Sequence, residues 1–258
     1  MWLSRRSSSP IKPIPASMGS LGHLVLVGTH HKTGTGWLLN LFSAIGEEFG
    51  WKLHYGSQAD LPLGTDIFFN DQSHFDLGNP EGPYRGIHLI RDPRDILISA
   101  AMYHRHSKES WLHQRRRKFW GLTYQEALNR LPDLDAQILF EMKHSTRATI
   151  RHLLAWDYQN PNFIEVKYED LIQDRELILF RRIFQFLGFP ESSLDRLCQI
   201  SYAQSLFSGQ VVNTGHIRSG RPSQWVDVFN YTLRRRFIDN FGDALIRLGY
   251  EPDNNWVP

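Results

Sequence analysis

Leu24-Val25-Leu26-Val27 is apolar, β-branched and without polar alternation, and it runs directly into Gly28 and Thr29-His30-His31-Lys32-Thr33-Gly34-Thr35-Gly36-Trp37. An unalternated run of this kind reads as a strand covered on both faces, as in a parallel sheet. Beyond the glycines, Trp37, Leu38, Leu41, Ile45 and Phe49 fall on one helical stripe. Strand, polar glycine-bearing loop and helix in succession present backbone N–H groups and a helix N-terminus to an anion. Gly34 and Gly36 allow close approach of a ligand, Thr33 and Thr35 carry hydroxyl donors, and Lys32 adds a compact charge. A plain strand-to-helix turn needs only one glycine and one capping threonine, so it does not account for this set.

Two familiar phosphate loops are excluded by spacing. A Walker loop counted from Gly28 requires glycine at position 33, which is Thr33, and its lysine follows the last glycine, whereas Lys32 precedes Gly34 and Gly36. A dinucleotide fingerprint needs a third glycine at position 39, which is Leu39. A kinase-like phosphotransferase, which would need Mg²⁺ and the Walker lysine, is therefore the alternative reading and not the preferred one.

The alternation continues along the chain. Asp66 to Phe69 and Gly86 to Ile90 read as strands, and Arg91-Asp92-Pro93-Arg94-Asp95 as a helix start with Asp92 as N-cap and Pro93 in the first turn. From about Tyr103 to Trp156 the pattern is mostly helical. Phe163 to Tyr168 reads as a fourth strand, Asp170 to Phe189 as a helix, Ser201 to Gln224 as a polar segment without clear period, and Tyr231 to Leu248 as a final helix. The expected fold is a single α/β domain over residues 21–258, a central parallel sheet flanked by helices, preceded by a flexible arm over residues 1–20.

Composition narrows the class. A net charge of +2 does not mark a general nucleic-acid binder, and 41% hydrophobic against 22% charged residues argues against wholesale disorder. The single cysteine, Cys198, cannot form an internal bridge. No apolar run approaches the ~20 residues needed to span a bilayer, so no stable membrane insertion is expected and the cytoplasm is the default location. Arg115, Arg116, Arg117 and Lys118 form a basic run, read as a solvated helix face or as a rim attracting an anionic donor or acceptor.

His31-Lys32-Thr33-Gly34-Thr35-Gly36-Trp37 resembles the 5′-phosphosulfate loop of sulfotransferases that use 3′-phosphoadenosine 5′-phosphosulfate (PAPS), usually Pro-Lys-Ser/Thr-Gly-Thr-Thr-Trp, with His31 for the proline and Gly36 for a threonine. Arg91, closing a strand, and Ser99, eight residues later, resemble the family's 3′-phosphate segment. Glu165 to Leu171 resembles its strand with Tyr-Glu-Asp, which implies that Tyr168 lies near adenine. Arg218-Ser219-Gly220, with Trp225 as anchor, resembles the segment that closes over the 3′-phosphate. There Ser219 replaces a lysine that Arg221 is placed to compensate. Tyr202 is a looser match to the aromatic stacked on adenine.

The resemblance implies in-line displacement at sulfur, with PAPS as donor, 3′-phosphoadenosine 5′-phosphate (PAP) as product and no metal. Lys32 would neutralise charge on the bridging oxygen and Ser99 would bond Lys32 before the acceptor arrives. The implied general base is a histidine after the second strand; His74 lies in that region, with Asp71, His30 and His31 as alternatives. A non-catalytic relative that only binds PAPS or PAP is a further alternative. The acceptor, a small molecule, lipid or carbohydrate, is left open, as is oligomeric state. Trp111, Phe119 and Trp120 lie in a stretch, His104 to Trp120, that either packs the domain or forms a lid over the acceptor.

Overall fold

Val25 and Val27 are buried on one face of the sheet and Leu26 on the other, so the opening run is a strand covered on both sides. In this computed structural model, which describes residues 19–78, 82–209 and 220–256, that strand is β1 (Leu24–Gly28). With it pair β2 (Leu53–Tyr55), β3 (Ile67–Asn70), β4 (Tyr84–Ile90) and β5 (Phe163–Lys167), in the order β2-β3-β1-β4-β5 and all parallel. Gly28 lies opposite Asn70 on one side and His88 on the other. A parallel sheet brings every strand's exit loop to one edge, and the crevice opens where loops diverge on either side of β1.

The helices are α1 (Thr35–Phe49), α2 (Pro93–His104), α3 (Tyr124–Asn129), α4 (Leu134–Lys143), α5 (Ser145–Ala155), α6 (Tyr168–Leu171), α7 (Ile178–Phe186), α8 (Leu194–Gln204), α9 (Trp225–Val228), α10 (Tyr231–Phe241) and α11 (Ala244–Arg247). Leu38, Leu41 and Ile45 of α1, with Phe180 and Phe184 of α7 and Leu197 of α8, cover Val25, Val27, Phe69 and Leu89. On the opposite face Leu26, Phe68 and Phe163 pack with Trp156, and α2, α4, α5 and α10 build a second core around Leu97, Ile138, Ile150 and Phe237.

Several boundaries differ from the sequence expectation. β2 was not anticipated, because three residues carry no readable period. The fourth strand ends at Lys167, and Tyr168 opens α6 instead of closing a strand. The single helix expected over Asp170 to Phe189 is two, α6 and α7. Leu177 takes a left-handed conformation (φ 58°) between them, and Asp174 accepts the N–H groups of Ile178 and Phe180. The last helix is likewise broken, at Gly242 (φ 57°). The basic run is not a helix face. Arg115 bridges Thr123 in antiparallel fashion and Arg117–Phe119 is one 3₁₀ turn, with Arg115, Arg117 and Lys118 exposed.

At the start of α2 the expectation holds and gains a partner. Asp92 caps the helix by accepting the Arg94 N–H at 2.9 Å, with Pro93 in the first turn. The same carboxylate holds the buried Arg94 guanidinium (Nη2 to Oδ2, 2.7 Å), which also reaches Glu251 and stacks 3.4 Å from the Trp225 ring. Arg94 therefore ties the crevice edge to the C-terminal segment.

Candidate functional site

The loop after β1 is braced from inside. The Thr33 hydroxyl accepts the His30 N–H (2.9 Å) and donates to the His30 carbonyl (2.8 Å), while the Thr35 hydroxyl donates to that carbonyl at 3.0 Å. Both hydroxyls, expected as donors to an anion, thus shape the loop, and Thr33 is fully buried. Ser73, from the loop after β3, donates to the Thr29 carbonyl at 2.9 Å and locks the two loops together. Gly34 sits at φ 114°, with a Cβ there 3.1 Å from the Tyr168 ring and 3.2 Å from Leu89, so only glycine fits. Lys32 also has a positive φ (67°), a strained choice for a side-chain-bearing residue and one common at functional sites.

What the loop frames is cationic. No acidic residue lies in the first turn of α1, and Gly34 offers no side-chain cap. Lys32 Nζ stands 3.4 Å above the Tyr103 ring. Burial and the nearby Arg91 guanidinium push the Lys32 ammonium down to about 8, against a smaller opposing effect of Glu109. Arg91 is 6% exposed; it donates to the Lys32 carbonyl at 3.0 Å, lies 4.5 Å from the Tyr168 ring, and has a buried Nε without a partner. Asp95 approaches it only to 3.8 Å. Ser99 is half-buried on α2, one turn before Tyr103 and so on the same side of the helix.

Tyr168 is buried against Trp37, and its hydroxyl donates to the Gly220 carbonyl at 3.0 Å, which fastens the C-terminal segment to the crevice. Trp225 anchors the same segment, its backbone N–H donating to Asp95 at 3.0 Å. Arg221 pairs with Asp227 at 2.6 Å. Arg218 and Ser219 lie outside the described residues. Gly36 is exposed with nothing within 4 Å of the position a Cβ would take. Tyr202 is 42% exposed on α8, beside Phe207. Trp111 donates to Glu109 at 2.6 Å and, with buried Phe119, packs around Tyr124, whereas Trp120 is exposed.

Of the expected bases, His74 is exposed, its backbone N–H held by Asn70 and its ring against His152. Asp71 accepts the Tyr55 hydroxyl at 2.8 Å. His30 and His31 each begin a chain that the sequence did not reveal. His30 Nε2 lies 2.8 Å from His88 Nε2, and His88 Nδ1 lies 2.6 Å from Glu165, which also accepts the Trp156 N–H. His31 Nε2 lies 2.9 Å from His104 Nε2, and His104 Nδ1 lies 2.7 Å from Glu141, which also accepts the Thr146 hydroxyl. Among the described residues no group of three or more His, Cys, Asp or Glu is arranged to hold a metal ion.

Comparison with known proteins decides the family. The sulfotransferase domain model matches residues 81–249, more than half of the chain. The chain belongs to the sulfotransferase family. That match begins after the Lys32 loop and covers Arg91, Ser99, Tyr168 and the Arg218-Ser219-Gly220 segment. Among solved structures, this sulfotransferase resembles a mouse sulfotransferase complexed with PAP (TM-score 0.55, 15% identity, 89% of this chain and 85% of that one). It also resembles a retinol dehydratase in complex with androsterone and inactive cofactor PAP (TM-score 0.54, 17% identity, 88% and 81%). At these identities the likeness establishes the fold. A search of curated proteins finds no match. Among the described residues no helix is long and apolar enough to cross a membrane.

Proposed function

We propose that this chain transfers the sulfo group of PAPS to a hydroxyl or amine of a small-molecule, lipid or carbohydrate acceptor by in-line displacement, releasing PAP. The observation that carries this reading is the placement of Lys32 and Arg91. Half-buried Lys32 and buried Arg91 lie close enough that Arg91 lowers the proton affinity of Lys32, while Asp95 reaches Arg91 only at 3.8 Å, and like charges so placed are relieved by an anion. The open space over Gly36 admits such an anion to the first turn of α1.

Within the reading, Lys32 and the loop N–H groups take the 5′-phosphosulfate, and Lys32 neutralises charge on the bridging oxygen as the S–O bond breaks. Arg91, Ser99 and the Arg218-Ser219-Gly220 segment take the 3′-phosphate, where a planar guanidinium suits a phosphate. Tyr168 braces Gly34 and Arg91 from below, beside the place expected for adenine. The donor implies no metal, because Lys32 supplies the charge a metal would.

Transfer of ³⁵S from labelled PAPS to a panel of phenols, sterols, sugars and amines tests the reading. Labelled product is expected with at least one acceptor, and Lys32→Ala is expected to lower turnover by ~10²–10³-fold with a smaller loss of PAP affinity. PAP binding without transfer to any member would favour a non-catalytic relative, and equal turnover in Lys32→Ala would remove the role given to Lys32.

A further inference from the structure

His31 occupies the position directly before Lys32, the residue placed at the breaking bond, and is half-buried. Its Nε2 is engaged with His104 Nε2, and both His104 and Glu141 behind it are fully buried. With His104 neutral, the hydrogen bonds set the tautomers of this chain. Glu141 accepts, so His104 Nδ1 carries a hydrogen. A neutral His104 then offers Nε2 as an acceptor, which requires the hydrogen between the rings to sit on His31 Nε2. His31 Nδ1 is left with a free lone pair.

We propose that His31 is the general base that takes the acceptor's proton, with His104 and Glu141 as positioning residues that set its tautomer and hold the proton after transfer. This inference rests on the sulfo-transfer reading above. In the step, the acceptor oxygen forms its bond to sulfur and the bond from sulfur to the phosphate oxygen breaks, with that electron pair leaving on PAP. The acceptor's proton goes to His31 Nδ1, and the hydrogen on His31 Nε2 moves to His104 Nε2. The chain ends with a neutral His31, now protonated at Nδ1, and a His104 imidazolium against the Glu141 carboxylate. Return of that proton to solvent through His31 resets the chain.

The groups facing His31 suit this task. Burial is the largest effect lowering its proton affinity, with Lys32 adding to it and Glu109 and Glu141 opposing, so the resting ring is neutral. Tyr103 lies beside the ring, and Tyr124 packs on His104. Binding of an anionic donor next to Lys32 opposes the lysine's effect and strengthens His31 as a base. The exposed His74, set edge-on against His152, has no such carboxylate-backed partner among the described residues.

The test uses the full chain, phenol as acceptor probe with ³⁵S-labelled PAPS, and ¹⁵N-histidine NMR of the PAP-bound protein. His31→Ala should lower kcat by ~10²–10⁴-fold with PAP affinity unchanged, and added imidazole should restore part of it. Glu141→Gln removes the carboxylate that favours the protonated pair, so the acid limb of kcat/KM should move to lower pH. A wild-type kcat in His31→Ala, or an unmoved limb in Glu141→Gln, would overturn the proposal. If phenol is not turned over, NMR decides: a bare Nδ1 on His31 at pH 7.5 supports the proposal, and a protonated Nδ1 overturns it. A wild type that neither binds PAP nor transfers sulfate from PAPS overturns the underlying reading instead.

Discussion

The two histidine chains share a plan and differ in charge. Each runs from a loop histidine through a buried histidine to a glutamate, one toward α5 and β5, the other toward α4. On the His30 side, burial pushes Glu165 up to about 7, a hydrogen bond from Trp156 only partly opposing it, and drives His88 down to about 3. Below about pH 7 that chain is therefore uncharged. On the His31 side, burial would raise Glu141, but bonds from His104, Thr146 and Tyr124 hold it below its ordinary value, so the chain ends in a carboxylate. His30 is 1% exposed and its Nδ1 is buried without a partner, whereas His31 is half-buried beside Lys32. The same three residue types therefore make a structural strut on one side and a charged relay on the other, and the number of hydrogen bonds on the carboxylate separates them.

The largest difference should come from deleting the carboxylates. Glu141→Ala leaves His104, Thr146 and Tyr124 without their buried, charged acceptor and is expected to lower unfolding free energy by ~3–5 kcal/mol in urea titration. Glu165→Ala leaves two neutral donors, His88 and Trp156, and should fall by ~1–3 kcal/mol. Equal losses would mean the two chains carry the same charge.

The pH dependence of the Gln variants should run in opposite directions. Glu165 binds its proton more tightly folded than unfolded, so it favours folding at low pH and that advantage is lost as pH rises from 4.5 through about 7. The urea midpoint of Glu165→Gln relative to wild type should therefore rise across about pH 4.5 to 7. Glu141 binds its proton less tightly folded, so its contribution is present above 4.5 and lost as pH falls through its lowered value. The deficit of Glu141→Gln should be greatest near neutrality and shrink in acid.

Smaller again are the flanking donors. Thr146→Val removes one hydrogen bond to a charged oxygen and should cost ~1.5–3 kcal/mol, while Trp156→Phe removes a bond to a nearly neutral one and should cost ~0.5–1.5 kcal/mol. A reversed order would place the charge on Glu165.

The local grammar of this fold was readable and its long-range chemistry was not. The β1 run, the glycines before α1 and the Asp92-Pro93 helix start are decided by residues within a few positions of one another. His88 and His104 meet their loop partners across 58 and 73 residues, a distance over which sequence pattern carries no register. One signal was present. His88 interrupts the apolar Ile87-His88-Leu89-Ile90, and Glu141 lies between Ile138 and Met142 on a buried helix face, and polar groups in such places need partners. The hydroxyls of Thr33 and Thr35 misled for the complementary reason: a loop this tight uses its own donors to hold its shape.

The most direct test is the choice of nucleotide. In thermal melts, PAP with chelator present should raise the melting temperature in a concentration-dependent way, and ATP with Mg²⁺ in the absence of chelator should do little. Stabilisation by ATP with Mg²⁺ and none by PAP would contradict the assignment of the Lys32–Arg91 crevice to a PAPS donor.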